Sequence, residues 1–532
     1  MRAVLDAILS ELALAGECPE EREARLIPAL LRVRTELGSI PPEAVAVLAD
    51  AIGVPTSRVY AVATFYPSIG IGPAEDAARE EVMPLGLSAS PPTDGRPAPN
   101  DVGQVRRVLA RCGRIDPSSI DDYLGSSGYA GLRHALELQP DEVIGLIRSS
   151  GLRGRGGAGF PVWLKWRLAR ESEADRRYVV CNAAEGDPGA FMDRFILESD
   201  PHAVLEGLTI AGYAVGASQG FICVRAEYGD LVPKVRGAVE QARFRGFLGA
   251  SVPGTSFNFD IEVVLAAGRY VCGEETALLN SMEGRRGIPR LRPPFPMQAG
   301  LFQRPTVVNN VKTLANVPLI LSHGPAWFTE LGTEQSPGTA VLSLSGDIAR
   351  PGVIEVPMGT PLRTIVEDIG GGAADGRRVK AVQTGGPLGG LVPAALMDTP
   401  VSFEAMAEIG SPLGSGGLVV LGEGTCMVAV ARDFARFAQE ESCGYCVPCR
   451  LGTVQIAEIV RDISEGRGRE EDLALLLRLG QSMRLGSFCA YGQGAPNLVL
   501  STVHHFRDEF EQHLRQQSCP AGVCSPAGTH AE

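Results

Sequence analysis

Three cysteines near the C-terminus lie so close together that they limit what the surrounding chain can fold into. Cys443, Cys446 and Cys449 have the spacing C-x2-C-x2-C, and Cys489 follows one predicted helical hairpin later. Thiolates at this spacing suit three corners of a [4Fe–4S] cubane, and a fourth cysteine completes the usual ligand set. Zinc is the rival metal, and a purely structural group of thiols is the plain alternative.

Helical patterns flank these cysteines on both sides. Apolar residues recur at helical spacing in four runs, residues 427–439, 453–463, 471–483 and 499–514. We therefore expect the cysteines to lie at the end of a helical bundle that spans residues 421–515.

The tail of the chain, residues 516–532, contains a second set of thiols. Cys519 and Cys524 have the spacing C-x4-C, which is a weak metal signal alone, and a thiol-bearing tail without metal is the alternative. With His513 and Cys426 they predict a Cys3His zinc site, provided that the fold brings Cys426 near.

The most glycine-rich loop of the chain lies at residues 150–161, with five glycines and two arginines. Glycine allows the backbone to take positive φ and to approach a ligand closely. Backbone N–H groups that face one concavity, next to the start of a helix at Val162, form an anion site. Arg153 and Arg155 can add phosphate contacts. The loop is therefore predicted to cradle a phosphorylated cofactor, and a flexible surface loop is the alternative.

After this loop, strands and helices alternate. Residues 177–182, 220–225 and 259–265 read as buried strands, and residues 202–216 and 231–244 as helices between them. Such alternation predicts an α/β domain with a mostly parallel sheet.

Polar clusters follow two of these strands, at residues 182–194 and 268–277, where parallel sheets bind ligands. Their carboxylates can accept hydrogen bonds from ribose hydroxyls. For Glu274 and Glu275 the alternative is a helix N-terminus whose dipole they complement. Phe295, in the rigid run 293–296, can stack on a flat heterocycle, and a packed loop is the alternative.

The remaining segments show no recognisable chemistry. Residues 1–70 predict a helical docking module, and residues 71–110 form a linker rich in proline and glycine. Residues 336–420 predict a small β-grasp-like domain, from a hairpin, a helix and a further strand. The α/β domain itself spans residues 111–335.

Charge and cysteine usage restrict the setting. A formal net charge of −13 argues against a nucleic-acid partner, which requires basic patches. Asp6 and Glu11 interrupt the first apolar stretch, so we expect no signal peptide, and residues 207–224 are expected to be core rather than a membrane span. We expect a cytoplasmic protein without membrane insertion, whose twelve cysteines are ligands or core thiols rather than disulfides.

Residues 140–515 resemble the NADH-binding flavoprotein subunit of respiratory complex I and its relatives in NAD-dependent hydrogenases and formate dehydrogenases. The resemblance rests on the motifs at residues 151–160 (GLRGRGGAGF), 182–194, 268–277, 293–296 (PPFP), 308–311 (VNNV) and on the cysteine spacing with Cys489. The form of residues 186–194 and the Thr-Cys-Met at residues 425–427 are most similar to the soluble hydrogenase and formate dehydrogenase branch. Part of that branch performs electron bifurcation.

The resemblance implies a Rossmann-like domain that holds FMN with NADH stacked on its ring. NADH would reduce FMN by hydride transfer, and single electrons would pass to a [4Fe–4S] cluster on the four cysteines, without an acid–base residue. A zinc site is implied for Cys426, His513, Cys519 and Cys524. The cofactor-binding residues that the resemblance implies are Gly154, Arg155, Gly156, Gly157, Phe160, Lys165, Asn182, Glu185, Asp187, Tyr270, Gly273, Glu274, Glu275, Phe295, Asn309, Asn310 and Thr313.

The chain departs from the family pattern at two positions. Ala184 stands where an acid is usual, which puts one flavin contact in doubt, and Lys312 stands where Glu is usual. Residues 25–66 resemble the helical start of the [2Fe–2S] thioredoxin-like partner subunit but lack its four cysteines, so an intact partner of that kind is expected from another chain.

Three functions follow from these observations. The first is the diaphorase subunit of a cytoplasmic hydrogenase or formate dehydrogenase, whose catalytic subunit carries iron–sulfur clusters. The second is the corresponding subunit of complex I. The third is a structural or regulatory subunit that has lost NADH chemistry, to which Ala184 points.

Overall fold

The computed structural model describes residues 1–12, 18–71, 103–374 and 376–524. Most of the predicted linker, and the tail beyond residue 524, lie outside these residues. At the end of the linker, Val105 N donates to Glu355 O at 3.0 Å, and Val108 and Leu109 are buried. This stretch therefore packs against the hairpin of the β-grasp-like region.

The N-terminal module is helical in its described residues, as its sequence predicts. Glycines at the C-terminal ends of two helices, Gly38 and Gly53, have left-handed φ of 72° and 82°, a common way of ending a helix. The helices are Arg2–Glu11, Pro19–Ala24, Leu26–Leu37, Pro42–Ile52 and Thr56–Phe65. Within the described residues no single helix has the length and apolar content of a membrane span; the last two reach it only as a pair, bent by 118°.

The α/β region contains a four-stranded, all-parallel sheet in the order β3-β2-β1-β4. The strands are β1 (Tyr178–Ala183), β2 (Gln219–Arg225), β3 (Asp260–Ala266) and β4 (Thr306–Asn310). The predicted parallel sheet is confirmed. Strand β4 is an addition, because its sequence indicated only a segment before a helix. In the register of β1 and β4, Asn182 lies beside Asn310, which brings two polar motifs together at one edge.

Helices cover both faces of this sheet. Val179 and Cys181 of β1 belong to the large core, whereas Tyr178 and Val180 point into a smaller one. Two buried helices touch closely at Gly207, where a side chain would overlap Leu314 O. The helices of this region are Ile120–Gly125, Ala130–Glu137, Pro140–Ser150, Val162–Glu171, Met192–Ser199, Pro201–Val215, Leu231–Phe244, Glu275–Met282, Pro296–Ala299, Val311–His323 and Pro325–Thr329.

The next region is a mixed five-stranded sheet in the order β6-β5-β9-β7-β8. Its strands are β5 (Thr339–Gly346), β6 (Gly352–Pro357), β7 (Val379–Thr384), β8 (Gly390–Pro393) and β9 (Gly417–Gly422). β5 and β6 form the expected hairpin, and the helices Thr364–Ile369 and Phe403–Glu408 complete the region. Leu342, Val382 and Leu418 are fully buried in its core. The β-grasp-like prediction is confirmed.

The C-terminal region is a helical bundle, as predicted. It comprises Met427–Glu441, Val447–Ser464, Asp472–Gly486, Ala490–Gly494, Asn497–His505 and Arg507–Gln516. A single apolar core joins this bundle to the N-terminal module and includes Tyr66, Val271 and Ala438. The module is therefore packed against the region that carries the four cysteines.

Candidate functional site

The glycine loop closes on itself at the end of β4. Gly154 N donates to Phe160 O at 2.9 Å, and Gly157 and Gly159 have φ of 118° and 62°. A Cβ on Gly156 would lie 2.9 Å from Asn310 Cβ, which is too close for an unstrained side chain. Glycine is therefore required where the loop meets the sheet, and the backbone lies at the carboxyl ends of the strands, where such sheets bind ligands.

The two arginines of the loop have different environments. Arg153 donates to Gly159 O at 2.7 Å and pairs with Glu404, so its charge is already neutralised. Arg155 N donates to Thr313 Oγ1 at 2.8 Å, and Arg155 Nη2 donates to Pro337 O at 2.6 Å. Arg155 is 7% exposed, burial lowers its pKa to about 10, and its Nε and Nη1 have no hydrogen-bond partner among the described residues.

Buried charges lie beneath the same strand ends. Lys312 Nζ lies 3.1 Å from Asp193 Oδ1 and donates to Ser415 O at 2.7 Å. Asp193 also accepts a hydrogen bond from Asn310. Glu185 accepts from the backbone N–H groups of Asp193 and Arg194 at 3.0 and 3.1 Å; burial and the nearby Asp193 raise its pKa to about 8. The unusual lysine at position 312 thus has an acidic partner within the site.

Three separate segments meet at Asp187. Its carboxylate accepts from Tyr270 Oη at 2.6 Å and from Ser415 Oγ, and a Cβ on Gly386 would overlap it. Two of these partners belong to the β-grasp-like region, in which the sequence showed no chemistry. The glycine-rich stretch at residues 410–417 is the signal that could have identified this contribution.

The four cysteines converge at one end of the bundle. Cys446 and Cys489 each precede the first turn of a helix, where the helix dipole favours a thiolate. Ser442 Oγ lies 3.3 Å from Cys449 Sγ. Burial chiefly, together with the three neighbouring cysteines, raises the pKa of Cys449 to about 12, so metal binding must supply the free energy for its deprotonation. In the described residues these four sulfurs do not all gather within 4.8 Å, as ligands of a single ion would, which favours a cluster over one zinc.

Tyr270 joins this cysteine group to the glycine-loop site. Its hydroxyl is bonded to Asp187 on one side, and its ring centroid lies 5.7 Å from that of Tyr491 on the other. Tyr491 is two residues from Cys489, and a Cβ on the next residue, Gly492, would lie 3.0 Å from Cys449 Cβ. Two aromatic side chains therefore bridge the two sites.

Family models match four parts of the chain. The Nuo51 FMN-binding domain matches residues 147–319, and the NADH-ubiquinone oxidoreductase-F iron-sulfur binding region matches residues 429–513. The SLBB domain matches residues 341–392, and the thioredoxin-like [2Fe-2S] ferredoxin matches residues 13–77.

Relatives are similar over most of the chain. It is 48% identical over 427 residues to NADP-reducing hydrogenase subunit HndC of Solidesulfovibrio fructosivorans, which covers 80% of this chain and 87% of the relative. It is 43% identical over 406 residues to an NADH-quinone oxidoreductase subunit of Rhizobium meliloti, which covers 76% and 96%. The chain belongs to the family of complex I flavoprotein subunits. A crystal structure of NAD+-reducing [NiFe]-hydrogenase in the H2-reduced state superposes with a TM-score of 0.78 at 30% identity, over 93% of this chain and 94% of that one. The resemblance and the fold class inferred from the sequence are thus confirmed.

In this flavoprotein the N-terminal match carries too few cysteines for a cluster of its own. Residues 13–77 contain only Cys18, whereas a [2Fe–2S] cluster needs four protein ligands. The described part of this match is helical, as the sequence indicated.

Several residues implied for FMN form the wall behind the glycine loop. Asn182 Nδ2 donates to Gly273 O at 3.0 Å, and Asn309 Oδ1 accepts from Trp166 Nε1 at 2.9 Å. With Thr313 and Asn310, these side chains hold the loop and its neighbours in place. The partnerless N–H groups of Arg155 and the glycine cradle fit a buried anionic cofactor such as the FMN phosphate.

The residues implied for NADH lie at the more open side. Lys165 Nζ donates to Glu275 Oε2 at 2.8 Å, and Arg292 pairs with Glu275 at 3.0 Å. Glu274 accepts from Thr276 N and Ala277 N and so caps its helix; the alternative interpretation is realised for this residue. Phe160 and Phe295 are 40% and 44% exposed, and rings left open in this way suit stacking on a nucleotide.

A second ligand group lies on the far side of the bundle. The ligand atoms of Cys426, His513, Cys519 and Cys524 all lie within 4.8 Å of one another. Cys426 Sγ is 3.6 Å from both His513 Nε2 and Cys524 Sγ, and His513 Nδ1 contacts Glu509 O at 2.7 Å. The fold does bring Cys426 to the tail, which was the condition set by the sequence.

A cavity of about 390 Å³ lies elsewhere, between the N-terminal module and the sheet. It adjoins Tyr178 and Gln219, which begin β1 and β2. Since ligands of parallel sheets bind at the carboxyl ends of strands, this cavity is not the nucleotide site. Arg25 and Glu262, on its wall, form an ion pair of 2.6 Å.

Proposed function

We propose that this chain is the diaphorase subunit of a multi-subunit oxidoreductase, exchanging a hydride between NAD(H) and FMN and passing single electrons to a [4Fe–4S] cluster. The observation that carries the proposal is the bridge formed by Tyr270 and Tyr491 between the glycine-loop site and the four cysteines. When bound, FMN supplies the conversion between a two-electron hydride and single electrons.

The protein's own part is to bind and orient. The backbone of residues 154–157, with Arg155 behind it, would hold the flavin phosphate, and the strand ends carrying Asn182 and Asn310 would fix the rest of the cofactor. Phe160 and Phe295 would stack on the nucleotide. The tight packing around Asp187 and Tyr270 excludes water between the two redox sites.

We propose NADH rather than NADPH as the substrate. Glu274 and Glu275 lie beside the open side of the site, and acids there favour ribose hydroxyls over a 2′-phosphate. Arg292 is occupied by both carboxylates. The HndC relative is named as NADP-reducing, which makes the choice of nucleotide a direct test.

The test uses the FMN-loaded full chain with an artificial electron acceptor. NADH oxidation much faster than NADPH oxidation is the expected result. A chain that holds FMN but oxidises neither nucleotide would refute the proposal and favour the structural or regulatory alternative. The variant Glu275→Gln should lose part of the preference, and Glu262→Gln, at the unrelated cavity, is the matched control.

For the cluster, Cys443, Cys446, Cys449 and Cys489 are the proposed ligands. Cys489→Ser should lower the iron content and remove the cluster absorbance while FMN is retained. Cys18→Ser changes an exposed cysteine outside both ligand groups and serves as the control. Iron content equal in all three proteins would contradict this ligand set.

We propose an iron–sulfur protein as the partner at the cluster. Apolar side chains around the cysteines are open to solvent: Tyr445, Val447 and Leu451 are more than half exposed, and Leu485 is 82% exposed. An exposed apolar patch of this kind is typical of a protein interface. Electrons must leave through this surface, so we assign it to the catalytic side of a hydrogenase or formate dehydrogenase, and the [2Fe–2S] subunit comes from another chain.

We further propose zinc at Cys426, His513, Cys519 and Cys524. Three thiols and an imidazole this close suit tetrahedral zinc, and the contact of His513 Nδ1 with Glu509 O leaves Nε2 for the metal. These free thiols also fit a reducing cytoplasm. Elemental analysis should show zinc lost from Cys519→Ser and iron retained; zinc unchanged in that variant would refute the site.

A further inference from the structure

The end of the N-terminal module grips the loop that follows β3. Gly268 N donates to Ser68 Oγ at 3.2 Å, and Tyr66 Oη donates to Arg285 O at 2.8 Å. The ring of Phe65 lies under the guanidinium of Arg269, with 4.8 Å between the Arg269 Cζ and the ring centroid. Three successive contacts therefore fix the position of residues 268–270.

That loop in turn holds the segment that enters the cysteine motif. Arg269 Nη2 donates to Glu440 O at 2.9 Å, and Nη1 donates to Ser442 O at 3.1 Å. Tyr270 N donates to the Glu441 carboxylate at 2.6 Å. Ser442 immediately precedes Cys443 and contacts Cys449 through its hydroxyl. The guanidinium is thus one residue away from the first cluster ligand.

We infer that Arg269, held by Phe65, is a positioning residue that orders the cysteine loop and raises the reduction potential of the [4Fe–4S] cluster. A fixed positive charge next to the cluster favours its reduced, more negative state. A planar guanidinium can stack on a ring and still donate two parallel hydrogen bonds, which lysine cannot reproduce. The Glu441 carboxylate nearby offsets part of the charge, and removal of Arg269 leaves that negative charge alone.

This gives the N-terminal module a role of its own. It has no set of cluster cysteines, yet its end supplies the aromatic ring on which Arg269 rests. The inference relies on the proposed cluster ligands, so its test must separate the two.

The test measures the midpoint potential of the cluster by EPR-monitored redox titration of the full, cofactor-loaded chain. Arg269→Met is expected to keep its iron and to show a lower potential than the wild type. Arg269→Lys keeps the charge and should lie closer to the wild type, and Phe65→Leu should shift the potential downward by less than Arg269→Met. Arg436→Met, which removes an exposed arginine paired with Glu440, is the control and should leave the potential unchanged.

Each outcome decides. An Arg269→Met protein with full iron and the wild-type potential overturns the inference. If Arg269→Met loses iron, Arg269→Lys is compared: iron retained at the wild-type potential supports the inference, and iron lost again overturns the role of the charge. A wild-type chain that assembles no cluster would instead refute the proposed ligands.

Discussion

Replacing Lys312 by methionine should destabilise the α/β domain strongly. The lysine and Asp193 form an ion pair of 3.1 Å whose side chains are only 2% and 4% exposed. Truncating one member of such a buried pair leaves the other charge without compensation, which costs about 3–5 kcal/mol. The hydrogen bond from Lys312 to Ser415 O is lost as well.

A double-mutant cycle separates the pair from its surroundings. Asp193→Asn combined with Lys312→Met leaves no uncompensated charge, so the double variant should be destabilised by less than the sum of the two singles, by about 1 kcal/mol or more. Arg436→Met is the control, because its partner Glu440 and Arg436 itself are well exposed; it should cost less than about 1 kcal/mol.

Tryptophan fluorescence during urea unfolding is the assay. The three tryptophans, Trp163, Trp166 and Trp327, all lie in the α/β domain, so the signal reports on the region being changed. The reasoning is refuted if Lys312→Met shifts the transition no more than Arg436→Met. Lys312→Glu, which restores the usual family residue, would add an acid beside Asp193 and Glu185 and should destabilise the domain further.

Three further substitutions test the site. Gly156→Ala places a methyl 2.9 Å from Asn310 Cβ; overpacking of about 1–3 kcal/mol should weaken FMN binding about tenfold, measured by flavin fluorescence quenching, and unchanged affinity would contradict the loop assignment. Phe295→Ala removes a stacking contact of about 0.5–1.5 kcal/mol and should raise the KM for NADH several-fold with flavin content unchanged; an unaltered KM would place the nucleotide elsewhere. Tyr270→Phe removes a hydrogen bond to the Asp187 carboxylate and should lower the stability by about 1.5–3 kcal/mol, measured by urea unfolding; no loss would show that this contact is not formed.

Local patterns were enough to predict the main parts of the site. Glycines at residues 151–159 and cysteines at 443–449 carry their chemistry in their spacing, and the strands of the sheet carry continuous apolar runs. Strand β4 was not predicted, because its two asparagines resemble a loop; they form a strand end only because β1 pairs beside them.

The contacts between regions could not be predicted in this way. Ser415 reaches Asp187 from more than two hundred residues away, and Phe65 meets Arg269 across the same kind of separation. No periodicity or spacing encodes such pairs, since they arise only when separate cores pack together. The family departure at Lys312 was visible in the sequence, but its partner Asp193 was identified only from the fold.

The central claim is that one polypeptide holds the flavin and the cluster close enough for electrons to pass between them. The most direct measurement is the spin relaxation rate of the flavin radical in the loaded chain, with the cluster reduced and paramagnetic. The wild-type radical should relax much faster than that in Cys489→Ser, which retains FMN and lacks the cluster. Equal relaxation rates in the two proteins, with the cluster present in the wild type, would contradict the claim.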